Sequence, residues 1–231
     1  MSGLDRRSVV AALASLIFSD ISIAEDAKSP IARGVLAQNP LAQAFEPAPA
    51  ELPNVELWGS RGTRDIQTLK GRTILMPLWA EWCAPCLEEI PDFARLQQKY
   101  GNERFAIVPV LTGPVKKVTP EIVGQIFDYL HANAFEPLLE NNRGSRLMEA
   151  LTRRSGRFEI PCNVLIAPDG RVVAREFGLK SNGEFEPPSE GTAAAKKSTM
   201  LAHAEAGDSL SLWGKQAGEQ FAQAMANGFL P

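Results

Sequence analysis

The sequence predicts an α/β protein, a central mixed sheet flanked by helices, and three observations carry that reading. An unbroken apolar run, Ile74-Leu75-Met76-Pro77-Leu78-Trp79-Ala80, has the length and uniformity of a strand covered on both faces. It gives way to helical spacing at Leu87, Ile90, Phe93/Ala94 and Leu96, and beyond Gly101 a second apolar run extends from Phe105 to Leu111. Nearer the C-terminus, Asn163 to Ala167, the turn Pro168-Asp169-Gly170 and Arg171 to Phe177 read as an antiparallel hairpin.

Taken from the start of the chain, Asp5-Arg6-Arg7 precedes an apolar stretch from Val9 to Phe18, and Ser22-Ile23-Ala24 supplies small residues for a cleavage site. Residues 1–24 are therefore expected to be a secretory signal peptide, and the paired arginines resemble a twin-arginine signal. Residues 25–52 hold Pro30, Pro40, Pro47 and Pro49 without sustained periodicity and read as a Pro/Ala-rich linker. A single domain is expected over 53–231. Within it, Pro91 should kink the helix after the first strand. Thr119-Pro120-Glu121 is an N-cap with a first-turn proline, and Ile122, Val123, Ile126, Phe127 and Leu130 share a helical face. A further helix is expected from Ser145 to Arg153. Residues 179–207, with Pro187-Pro188, read as a polar insertion. The terminal helix, about 209–227, carries Leu210, Trp213, Ala217, Phe221 and Ala224 on one face, with Gly228 as its stop.

Chemistry concentrates at Trp79-Ala80-Glu81-Trp82-Cys83-Ala84-Pro85-Cys86, where the first strand becomes a helix. Only a thiolate attacks a disulfide, and a free thiol near its reference pKa of about 8.5 is mostly protonated at neutral pH. The positive end of a helix N-terminus favours the thiolate. Cys83 is therefore the expected nucleophile. Cys86, one turn further in, is placed to resolve the mixed disulfide that Cys83 forms. Pro85 suits a first turn, where its missing N–H loses no helical bond. A structural disulfide or half of a zinc site are the plainer readings of such a pair, but a zinc ribbon needs a second pair, and only Cys162, His131 and His203 remain. A Cu(I)-binding metallochaperone using Cys83 and Cys86, with or without Cys162, is an alternative, since soft thiolates suit that ion.

At these residues the chain resembles the thioredoxin superfamily, and within it the bacterial extracytoplasmic thiol-disulfide oxidoreductases of the TlpA/ResA/CcmG type. The resemblance covers roughly residues 52 to 179: Lys70-Gly71-Arg72, the segment Trp79 to Cys86, Glu89 and Pro91, Glu159-Ile160-Pro161, and the hairpin from Asn163. It implies a thioredoxin fold and catalysis by Cys83 and Cys86. It makes Pro161 a cis-proline facing the cysteine pair, places Ile160 with Trp82 and Pro85 in the substrate groove, and gives Glu89 the role of a carboxylate that relays protons under the disulfide. The implied activity is reduction of disulfides in periplasmic client proteins with cysteine pairs, of the cytochrome c maturation or copper-site assembly type. A membrane electron donor would re-reduce the dithiol. No cofactor beyond the Cys83–Cys86 disulfide and no metal is implied; a disulfide donor or isomerase is the alternative within the same chemistry. The chain departs from the family at Pro77, where thioredoxins carry a buried Asp and TlpA-like proteins an Asn, so that any buried proton acceptor must be Glu89 or Glu88. A bulge or strand end is expected at Pro77 and at Pro109. Cys162, after the proline, carries no functional reading and is expected to pack as a small hydrophobe.

A net charge of −3 without a basic cluster argues against nucleic acid as a partner. No stretch reaches the roughly 18 to 20 uninterrupted apolar residues of a membrane span. Nothing predicts a dimerisation domain, so a monomer is expected.

Overall fold

A computed structural model describes residues 29–113, 118–141, 146–178 and 211–230. The signal peptide expected over 1–24 and the insertion expected over 179–207 lie outside the described residues. The core is a nine-stranded mixed sheet. Its centre is β4 (Thr73–Trp79), fully buried along its length and flanked by antiparallel β10 (Cys162–Ile166) on one side and by parallel β5 (Phe105–Ile107) and β6 (Val110–Leu111) on the other. Beyond β10 come β11 (Arg171–Glu176) and the edge strand β1 (Glu46–Glu51). Beyond β6 come β7 (Leu138–Glu140) and the hairpin of β2 (Glu56–Gly59) and β3 (Gly62–Asp65).

Alternation along the strands sorts the core into two layers. Leu75, Trp79, Ile107, Leu111, Leu139 and Leu165 point to one face. There they meet α2 (Ala84–Tyr100), α3 (Pro120–Tyr129), α5 (Gln216–Ala226) and the short α1 (Pro40–Ala44) through residues such as Ile90, Phe93, Phe127, Phe221 and Leu41. Ile74, Met76, Leu78, Val110 and Val164 point to the other face, against Leu147 and Leu151 of α4 (Arg146–Leu151) and against Ile66 and Leu69. This βαβ, α, ββ, α order with helices on both faces is the thioredoxin arrangement expected above.

Residues 29–52 are not a linker. Ile31, Leu36, Leu41 and Phe45 are buried, and Phe45 stacks on Phe221 with ring centroids 5.2 Å apart. Asn39 caps α1 by accepting from Ala42 N–H and donates to the Ala217 carbonyl on α5. Pro47 and Pro49 fit because β1 pairs only with β11, and an edge strand tolerates a missing donor, while Pro40 takes the first turn of α1.

The expectation for the two sheet prolines holds at Pro109 and fails at Pro77. The backbone breaks between β5 and β6, at Val108 and Pro109, whereas β4 runs through Pro77 without interruption. One register, Leu75 with Ile107 and Leu78 with Val110, holds on both sides of the break, so Pro77 lies level with Pro109. The Leu75 and Trp79 carbonyls accept from Val108 and Thr112, so the backbone of Pro77, midway between them, faces the same neighbour. Its missing N–H thus falls where the adjacent strand is already interrupted, and β4 stays straight up to the functional turn.

The helix α2 continues through Pro91 and ends at Gly101. The terminal helix is shorter than its pattern: a 3-10 turn, Leu212–Gly214, precedes α5, and the chain turns tightly enough that a Cβ on Gly218 would come within 2.2 Å of the Trp213 carbonyl oxygen. That turn drives Trp213 into the core against Phe93 and Phe221. Glu219 ties α5 to α2 by accepting from Arg95, Lys99 and Tyr100. Burial opposes its ionisation, but these hydrogen bonds outweigh it and bring its carboxyl down to about 2.

Candidate active site

At the end of β4 the chain turns once and enters α2. Cys83 is the N-cap residue of that helix, its N–H bonded to the Ala80 carbonyl and its own carbonyl accepting from Leu87. Cys86 sits one turn in, and the two are joined as a disulfide with a Cα–Cα distance of 5.3 Å. Pro85 lies in the first turn, where no helical hydrogen bond is forfeited. Both cysteines are buried, Cys83 with 5% of its surface exposed against 2% for Cys86. On reduction, the unpaired N–H groups of this 17-residue helix would point at the Cys83 thiolate.

Beside the cysteines, Trp82 is 59% exposed, the most open aromatic side chain among the described residues. The Ile160–Pro161 bond is cis; Pro161 is buried, while Ile160 is half-buried and packs against the core layer that contains both cysteines. Gly178, with φ of +38°, covers Pro161 so closely that a Cβ there would lie 2.5 Å from the ring. The small hairpin of β8 (Arg153–Arg154) and β9 (Arg157–Phe158) leads into this bond and carries the exposed ring of Phe158 under the Arg153 guanidinium.

Glu89 is buried on α2, three residues past Cys86. Side chains three apart lie on one helical face, and a helical side chain leans toward the turn before its own Cα, which places this carboxyl behind Cys86. Asn163, on β10, donates from one nitrogen to both Glu89 (3.3 Å) and Glu176 of β11 (2.7 Å). Burial is the main cause that pushes the Glu89 carboxyl well above the usual carboxylate range; Glu176, Asp92 and Glu88 push the same way, and the Asn163 bond works against them.

The motif reading missed Asn163 and Glu176. Asn163 is the cross-strand partner of Pro77, so the polar side chain that relatives carry on β4 has a counterpart here on the neighbouring strand, on the same face. Glu176 left a signal: within Arg171–Glu176 burial falls at alternate positions, on Val172 and Ala174, and an acid that continues that pattern is buried. Glu88 is half-buried and Glu89 fully so, which separates the two candidates left open by the sequence. Cys162 points to the opposite face of the sheet from the disulfide, with Sγ 3.7 Å from the Leu151 carbonyl, so it does not join Cys83 and Cys86. Burial pushes its thiol far up, which leaves it inert as a nucleophile. His131 lies just beyond α3 and is exposed.

No family model matches the chain. Among curated proteins it is similar to the thiol-disulfide oxidoreductase ResA of Bacillus subtilis (strain 168), 27% identical over 125 residues, a match covering 54% of this chain and 64% of that protein. It is similar also to ResA of Bacillus cereus, 24% identical over 140 residues (59% of this chain, 73% of that protein). The sporulation thiol-disulfide oxidoreductase A of Bacillus subtilis is 27% identical over 149 residues, 63% of this chain and 84% of that protein. The match to the first of these therefore spans less than two thirds of its length. Among solved structures, the thioredoxin domain of a thiol-disulfide oxidoreductase from Bacteroides vulgatus overlays with a TM-score of 0.46 at 18% identity, covering 56% of this chain and 87% of that one. The strand order and the cysteine pair at the β4–α2 turn agree with that similarity: the chain has a thioredoxin-like fold and resembles the ResA-type thiol-disulfide oxidoreductases.

Proposed function

We propose that this protein is a thiol-disulfide oxidoreductase that reduces disulfides in client proteins outside the cytoplasm. The observation that carries the reading is the Cys83–Cys86 disulfide at the N-terminus of α2, with a buried carboxyl one turn behind it. The names of the ResA relatives support it. In the reduced protein the helix end stabilises the Cys83 thiolate, which attacks one sulfur of the client disulfide; the other client sulfur leaves with the electron pair and takes a proton. Cys86 then loses its proton, attacks Cys83 Sγ in the mixed disulfide, and releases the second client thiol. Two electrons pass to the client, and Cys83–Cys86 is left oxidised.

Trp82, Pro85, Ile160 and Pro161 form the groove that receives the client chain, with Trp82 exposed, Pro85 and Ile160 half-buried and Pro161 buried. The clients are proteins whose cysteine pairs must be reduced before haem or copper is attached, and a membrane electron donor regenerates the dithiol. The periplasmic address rests on residues 1–24 as a secretory signal. Replacing Cys83 tests the activity. Cys83→Ser is expected to abolish reduction of insulin or of a peptide disulfide, a loss of at least about 100-fold, as is typical for removing a nucleophile. Cys162→Ser, on the far face of the sheet, should retain the wild-type rate. Equal rates for Cys83→Ser and wild type would overturn the proposal.

A further inference from the structure

Behind the dithiol two acids meet on one amide. The Asn163 side-chain nitrogen lies within hydrogen-bond distance of a carboxylate oxygen of Glu89 and one of Glu176, and all three residues are buried. Strand pairing brings this about: Asn163 stands opposite Glu176 on β11 and opposite Pro77 on β4, and the face they share is the one that α2 covers. The Asn163 oxygen is buried without a donor among the described residues, so the amide is turned with its donor end to the acids.

We propose that Glu176 is a positioning residue for the dithiol chemistry: held with Glu89 on the Asn163 amide, it forms a carboxyl pair that keeps a single proton, and Cys86 exchanges its proton with that pair. The inference rests on the redox function proposed above and extends it to residues on a different strand. Two carboxylates that share one buried site cannot both ionise at ordinary cost, so one proton stays with the pair over a wide pH range. A pair holding one proton contains an acid and a base at once. When a client is reduced, the ionised carboxylate accepts the Cys86 proton and the Cys86 thiolate bonds to Cys83 Sγ; the Cys83–client S–S bond breaks, the client sulfur leaves with that electron pair and takes a proton from solvent, and the carboxyl pair gives its extra proton back to solvent. When the protein is re-reduced, an incoming thiolate bonds to Cys83 Sγ, the S–S bond breaks, and Cys86 leaves with the electron pair and takes the proton from the pair, which regains one from solvent.

The groups that act on Glu89 are acidic on every side. Glu88 and Asp92 share its helix, and Glu176 faces it from β11. Arg175, next to Glu176, points away to Glu46 and to the Leu151 and Arg153 carbonyls. Glu219 of α5 is taken up by Arg95, Lys99 and Tyr100 further along α2. Asn163 donates to both acids of the pair.

The test follows re-reduction of the Cys83–Cys86 disulfide by dithiothreitol against pH in the full chain, with the rate corrected for the reagent's thiolate fraction. The corrected rate is expected to fall above the pH at which the pair loses its last proton. Glu176→Gln removes the like charge and should move that fall down by at least about one pH unit, a tenfold change in the proton equilibrium. Glu89→Gln should erase it and slow the step at neutral pH by about 100-fold, the low end for a general acid. A fall at unchanged pH in a folded Glu176→Gln would sink the proposal and leave Glu176 a packing residue. Carboxyl-labelled glutamate NMR on the wild-type chain gives a second reading that needs no variant. Two coupled titration steps, the upper one above the ordinary carboxylate range, are expected; both carboxyls titrating within the ordinary range would overturn the idea. Should Cys83→Ser retain client reduction, the redox function fails, whereas the NMR titration still reports on the pair.

Discussion

Gly178 shows how much the proposed client groove depends on single residues. It holds φ at +38° and leaves no room for a Cβ over Pro161, so two independent costs fall on any side chain there. Gly178→Ala is expected to lower stability by about 1 to 3 kcal/mol and to reduce client turnover at least tenfold, while iodoacetamide still labels the reduced Cys83. Full turnover in this variant would show that the position of Pro161 is immaterial to the groove. The cysteine pair is legible in the sequence because it is a contiguous string at a strand-to-helix junction, whereas the Ile160-Pro161 step is legible only through the family resemblance. Asn163 and Glu176 are not, because they meet Glu89 only after β10 has paired with β11 and α2 has packed on that sheet. What the sequence does show is Pro77, where the usual polar residue is missing; the amide that occupies the same face belongs to the next strand.

Among the elements, strands and helices with a clear period fall where their patterns predict: β4, α2, α3, and the β10–β11 hairpin. The segment that misleads is 29–52, where proline density signals a linker but the apolar residues between the prolines are core. Ile31, Leu36, Leu41 and Phe45 are each fully or almost fully buried, and burying such side chains is worth about 1.5 to 3 kcal/mol apiece. These residues bind α5, whose Phe221 and Trp213 complete the aromatic cluster over α2. Deleting residues 1–51 is therefore expected to unfold the domain or to lower its thermal midpoint by more than about 10 °C, since a loss of 1 kcal/mol moves a domain of this size by about 2 to 4 °C. An unchanged melting curve would mean that this segment docks without contributing stability. Breaks such as Lys215 before α5 escape the periodicity because the 3-10 turn keeps Trp213 on the apolar face.

In the whole molecule, a straight central strand delivers the dithiol to a helix N-terminus at one end of the sheet, and the acids stand one turn deeper on the same face. This arrangement accounts for disulfide exchange in either direction; direction is a matter of potential against the compartment, about 30 mV per tenfold in equilibrium for a two-electron couple. The reductive assignment is therefore the claim most open to a direct test. Equilibrating the full chain in dithiothreitol or glutathione buffers, with alkylation of Cys83 and Cys86 as readout, gives the potential of the pair. A value near or below roughly −270 mV, that of thioredoxin, is expected for a reductase supplied by a membrane donor. A value near roughly −120 mV, that of a strong oxidant, would contradict it and make the protein a disulfide donor.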